Sequence, residues 1–173
     1  MKKTVTALLV LTAVLFVSCA GIPEGFTAVK DFEAEKYLGK WYEIARFDFK
    51  FEKDLNNTTA EYSWNTDGSV RVVNRGFNYV KSEKEEAVGK AKFRGDPSIA
   101  ELKVSFFGPF YAGYNVIALD EEYQYALVAG DSLDYIWILS RTKTMPEDIK
   151  QTYVDLAKKG GYDTSRFIWV EHD

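Results

Sequence analysis

Few side chains in this chain are equipped for chemistry. His172 is the only histidine and Cys19 the only cysteine in 173 residues. A Ser-His, Cys-His or metal-binding set needs an imidazole or thiol held beside a partner in a pocket. His172 stands next to the last residue, where loose chain is the default, so no such set can be assembled from it. Gly108-Pro109 and Gly113 read as turn punctuation, because no helix follows them to cradle a phosphate. A hydrolase built on Asp and Glu alone is left formally open; the reading is of a non-enzyme without metal or cofactor. One carboxylate is conspicuous. In "WYEIARF", residues 41–47, Glu43 falls on the same alternating face as Trp41, Ala45 and Phe47. An isolated charge on an apolar face is costly unless it finds a partner or a proton. Glu43 is therefore either a structural hydrogen-bonding group or a contact for a ligand headgroup.

The thiol has a different chemistry available. Lys2 and Lys3 precede an apolar run from Val5 to Val17, too short for the roughly 20 residues of a membrane-spanning helix, and Ser18 stands directly before Cys19. A basic start, an apolar stretch and a small residue before the cut form an export signal. With cysteine at the junction, "FVSC" resembles a bacterial lipobox, with Phe16 where leucine is usual. Residues 1–18 are expected to be removed, Cys19 to carry the lipid, and residues 19–36 to form a tether and lead-in segment. With one cysteine, no disulfide within the chain can form.

Cutting before Cys19 leaves 155 of the 173 residues, enough for one domain with a core. Without Lys2 and Lys3 the basic residues fall from 22 to 20 against 26 acidic ones, a net charge of −6. An acidic surface without basic blocks argues against nucleic acid as a partner.

From Trp41 onward, period-two runs separated by turn signals dominate, the all-β pattern. "TAEYSW" sets Ala60, Tyr62 and Trp64 against Thr59, Glu61 and Ser63. After the "NTDG" turn, Val70, Val72 and Asn74 alternate with Arg71, Val73 and Arg75. Further strands are expected at 86–94, 100–107, 112–119, 123–130 and 134–141. Eight antiparallel strands can close into a barrel with room for one small ligand. In "DYIWILSR" both faces are apolar, so the outer one needs cover. Thr144-Met145-Pro146-Glu147 reads as a capping box with proline at the first helical position. Ile149, Tyr153 and Leu156 then give the helix an apolar stripe, Gly160-Gly161 ends it, and "RFIWV" forms a short last strand.

Eight strands, a C-terminal helix, Gly39-x-Trp41 at the head of the first strand, "LKVSFFGPFYAGYNVIALD" (102–120) and "YIWILSRT" (135–142) together resemble the lipocalin family. The resemblance implies an up-and-down β-barrel over 37–173, with the helix packed outside. It implies that Gly39, Trp41 and Arg141 close one end of the barrel, Arg141 stacking on the Trp41 ring. Phe49 and Phe51 then line the mouth at the other end. The first loop reads Phe49-Lys50 where close members have a histidine nearby.

By alternation the inward-facing candidates for binding a ligand pair up along the strands: Ala60 with Tyr62, Val72 with Asn74, Val104 with Phe106, Tyr114 with Val116, Ala126 with Val128, and Tyr135 with Trp137. Opposite them Arg71, Arg75, Lys103 and Ser105 suit solvent. A mostly apolar wall with a few polar tips suits a ligand pocket. The expected function is lipid binding and transport, of fatty acids or lysophospholipids, by a barrel anchored to the outer membrane on its periplasmic face. A homodimer is a further implication of the resemblance. The alternative is a structural or interaction barrel of the cell envelope whose interior is filled by its own aromatics, without a dedicated ligand.

Overall fold

The computed structural model describes residues 21–173. The expected removal of residues 1–18 and lipidation at Cys19 concern residues outside that range. Nine strands follow in order: β1 (Gly39–Phe47), β2 (Leu55–Trp64), β3 (Val70–Asn78), β4 (Glu83–Phe93), β5 (Glu101–Phe107), β6 (Phe110–Leu119), β7 (Tyr125–Ala129), β8 (Ile136–Ser140) and β9 (Phe167–Trp169). A short helix α1 (Ala34–Tyr37) precedes β1, and α2 (Glu147–Lys159) lies between β8 and β9. From β1 to β8 each strand pairs antiparallel with the next, and β8 pairs in turn with β1. The pairing of β1 with β2 closes an eight-stranded antiparallel barrel. Only Gly39–Tyr42 of β1 reach β2; further along, Ala45–Phe47 pair with β9, which lies outside the barrel.

Two apolar clusters divide along the strand period. The interior one joins Trp41, Tyr62, Val72, Val116, Ala126 and Val128. The outer one places Ile136 and Ile138 of β8 under Tyr153 and Ala157 of α2, the cover that the two-sided strand requires. Helix α2 stops in a Schellman motif: Tyr162 N–H donates to Ala157 O and Gly161 N–H to Lys158 O, both at 3.1 Å. Gly161 takes φ +95°, where glycine has no steric cost. Its start differs from the expected capping box. The N-cap is Pro146, no side chain caps the first turn, and the Thr144 carbonyl accepts from the hydroxyls of Ser140 and Thr142 instead.

The lead-in segment is part of the fold. Phe32 and Tyr37 are buried in the interior cluster, Val29 bonds through its backbone to Val116 and Ala100, and Ile22 and Phe26 pack on the outer cluster. The last residues are fixed as well. His172 Nε2 lies 2.8 Å from the Glu43 carbonyl oxygen, and its ring meets Tyr42 edge-on.

Candidate functional site

At the end of the barrel crossed by α1, Trp41 is wholly buried and its Nε1–H donates to Tyr37 O at 2.8 Å. Arg141, from just past β8, lays its guanidinium carbon 3.9 Å from the Trp41 ring centroid. The same guanidinium donates to the carbonyls of Lys36, Tyr37, Lys40 and Tyr123, tying α1, β1 and the β6–β7 turn together. Gly39, at φ +92°, makes the bend from α1 into β1. The first strand thus begins under a lid of its own preceding turn.

The strand then changes phase. Glu43 pairs with Leu139 of β8, but Ala45 pairs with Ile138, so Ile44 is an extra residue in β1. A bulge of this kind swaps the faces of everything after it. Ala45 and Phe47, expected beside Glu43, turn outward into the cluster beneath α2. Arg46 turns inward in their place and reaches back, Nη1 to Glu43 Oε1, at 2.7 Å.

The result is a buried polar layer nearer the mouth than Trp41. Arg46 Nη2 also donates to the carbonyls of Glu52 and Leu55, and Thr58 Oγ1 donates to Glu43 Oε1 at 3.1 Å. Glu52, from the β1–β2 loop, accepts from Trp137 Nε1 at 3.1 Å and lies 3.8 Å from Arg46 Nε. Two carboxyl groups share one guanidinium in a buried site. Burial pushes both upward; Glu43 is held against that by Arg46 and Thr58. Glu52 is pushed up to about 8 by burial and by the Glu43 charge, so it carries a proton at neutral pH. Asn74 Oδ1, also buried, has no hydrogen-bond partner among the described residues.

Below this layer the interior is apolar apart from three tyrosines. Tyr114 OH lies 2.7 Å from both Tyr37 OH and Tyr62 OH, so the hydroxyls satisfy one another. Burial raises all three above the ordinary tyrosine range, leaving them neutral donors and acceptors. Between them and Val70, Val72 and Leu102 is a cavity of about 20 Å³. That holds about one water molecule.

The structure brings most of the candidate positions together. Tyr62, Val72, Val116, Ala126 and Val128 are buried in the interior cluster, with Ala60, Val104, Phe106, Tyr114 and Trp137 packed against it. Asn74 belongs to the same inward row of β3, beside Ala60 on β2. Tyr135 is a different case. Strand β8 begins at Ile136, and Tyr135 is 41% exposed on the β7–β8 loop, stacked at 16° on Trp137. Ser105, expected in solvent, is buried on the outer face and its Oγ has no partner among the described residues. Trp64 ends β2 half-exposed instead of reaching the interior. Arg46 and Glu52 were not among the candidates; Arg46 needs the bulge, and Glu52 lies in a loop without periodicity.

Over the mouth runs a string of rings. Phe49 meets Tyr135, Trp137 and Phe51 at centroid distances of 5.8, 5.9 and 6.2 Å, and Phe51 meets Phe107 at 5.6 Å. Among the described residues there is no group of three or more His, Cys, Asp or Glu placed to hold a metal ion.

Comparison with known proteins agrees with this architecture. The profile of the lipocalin-like domain matches residues 32–172. Outer membrane lipoprotein Blc of Escherichia coli (strain K12) is 52% identical over 161 residues, covering 92% of this chain and 91% of that protein. Temperature-induced lipocalin-1 of Arabidopsis thaliana is 36% identical over 148 residues, 80% of this chain and 78% of its own. Among solved structures, insecticyanin from the tobacco hornworm Manduca sexta shares the fold with a TM-score of 0.67 at 22% identity, over 88% of this chain and 87% of that one. With a closed eight-stranded barrel, the stack of Arg141 on Trp41 and a family profile spanning the whole barrel, the chain belongs to the lipocalin family.

Proposed function

We propose that this lipocalin is a lipid-anchored carrier of amphiphiles with a single acyl chain, fatty acids or lysophospholipids, held at the periplasmic face of the outer membrane. The relatives named outer membrane lipoprotein Blc and the "FVSC" junction support the location. The observation that carries the binding reading is the order of surfaces inside the barrel. An aromatic mouth leads past one polar layer, Glu43, Arg46 and Glu52, into an apolar interior. Apolar rings accept the chain, and the polar layer offers a charge and a proton to whichever group trails it.

Magnitudes allow such a carrier. Burying about 12 methylenes at ~0.8 kcal/mol each yields roughly 10 kcal/mol. Association costs at least ~4 kcal/mol, leaving a Kd of tens of micromolar before headgroup contacts are added. A cavity of about 20 Å³ does not hold such a chain, so bulky side chains that line it, such as Tyr62, Phe93 or Tyr114, must turn aside to admit it. The same filled interior favours the second reading, an envelope barrel without a ligand. Organic extraction of the purified protein, followed by mass spectrometry, separates the two. A stoichiometric acyl lipid supports the carrier; a lipid-free protein that stays folded supports the second reading.

A further inference from the structure

The loops at the two ends of the barrel differ in kind. Twelve large apolar side chains are exposed among the described residues, and seven stand on the four loops around the mouth. Phe51 lies in the β1–β2 loop, and Tyr79 and Val80 form the β3–β4 turn. Phe107 and Phe110 flank the β5–β6 turn at 65% and 78% exposure, and Leu133 and Tyr135 stand on the β7–β8 loop. At the opposite end only Trp64 is of this kind among the described residues. Contiguous exposed apolar surface of this sort is a contact surface for a membrane or a partner.

The course of the N-terminal segment indicates which. The described chain starts at Gly21, and Ile22 and Phe26 pack on the outer cluster. The Phe26 ring is 5.6 Å from that of Tyr162. The Tyr162 hydroxyl donates to the carbonyls of Ser132 and Tyr135, on the β7–β8 loop of the mouth. From there the chain runs past Val29 and Phe32 to the opposite end before entering β1. The segment therefore emerges at the mouth, and Cys19 lies two residues, at most about 7 Å of chain, before Gly21.

We propose that the mouth docks onto the phospholipid surface in which the acyl chains of Cys19 are embedded, with the exposed side chains of its four loops inserted at the headgroup level. This rests on the lipid anchor proposed above. The charges among the loops are mixed, Lys50, Lys53, Lys81 and Lys84 against Asp48, Asp54, Glu83 and Asp134. Insertion is consequently apolar, and a zwitterionic phospholipid surface suffices. An amphiphile then passes between bilayer and barrel without crossing water.

Site-directed spin labelling of the full acylated chain in phosphatidylcholine vesicles tests this. Acylation consumes Cys19, so Phe110→Cys at the mouth or Thr66→Cys in the β2–β3 turn at the far end supplies the one reactive thiol. Both positions are exposed, and neither change disturbs the core. The label at position 110 is expected to collide about tenfold less often with a water-soluble nickel chelate than the label at 66, and more often with oxygen, which concentrates in the bilayer. Equal chelate access at both positions overturns the docking while leaving the anchor intact. Low access to chelate and oxygen alike means that a second copy covers the mouth, and also overturns it. A chain that fails to co-float with vesicles overturns the anchor, and the orientation with it.

Discussion

Arg46 reaches Glu43 at 2.7 Å although the two stand three apart in a strand, a spacing that ordinarily sends side chains to opposite faces. The extra residue at Ile44 makes the pair possible. Both groups are buried, at 1% and 6% exposure, so each is the other's principal compensation. Removing one partner of a buried pair costs about 3–5 kcal/mol, whereas replacing both by apolar groups can be close to neutral. Arg46→Met is predicted to lower stability by that amount, read from urea midpoints. Adding Glu43→Gln to it is predicted to restore at least half of the loss.

Glu52 gives stability a pH dependence of defined sign. Its folded pKa lies near 8, above the unfolded carboxylate value of about 4.3, because of burial and the Glu43 charge. Between these values the folded state holds a proton that the unfolded state releases, so the contribution declines as pH rises from about 4.3 to 8. Urea midpoints of the wild type are predicted to fall across that window. Glu52→Gln, which keeps an acceptor for Trp137 without the charge, is predicted to flatten the slope and to be the more stable of the two at pH 8.5.

Trp41 is the largest wholly buried side chain at the closed end, packed under Arg141. Trp41→Ala is predicted to cost roughly 3–5 kcal/mol. Arg141→Lys keeps the charge but loses the planar fork that binds four carbonyls. It is predicted to destabilise measurably in the same denaturation assay without changing ligand affinity.

The anchor is tested separately. Several acyl chains give lasting membrane attachment where one gives only marginal binding. Cys19→Ser is predicted to shift the protein to the soluble fraction or to leave it unprocessed. Processed Cys19→Ser protein that stays with membranes contradicts acylation at that residue.

The barrel was legible in the sequence because period two survives wherever one face of a strand is buried. Tyr62, Val72, Val116, Ala126 and Val128 all lie inside as alternation requires. The cover of β8 by a helix was legible for the same reason, from the apolar residues on both its faces. The polar layer was not, because it depends on register between β1 and β8, which no property of β1 alone reveals. Tyr135 stands one residue before β8 begins, yet its ring stacks on that of Trp137, with which alternation pairs it, whereas the burial of Ser105 leaves no trace in a period. Thr144 fits the capping pattern, yet its carbonyl is drawn into the turn after β8 and the helix begins without it.

The central claim is that the barrel takes up a single acyl chain past the polar layer. Its direct measurement is titration of the delipidated protein with a lysophospholipid, followed in parallel by tryptophan fluorescence and calorimetry. Trp137 lies at the mouth between Phe49 and Tyr135, with its Nε1 on Glu52, and is the expected reporter. The account predicts saturation at one ligand per chain with a Kd of tens of micromolar or below. In Trp137→Phe most of the fluorescence change is lost, while calorimetry still finds one site. Absence of saturable binding in either signal, with the barrel still folded, contradicts the account.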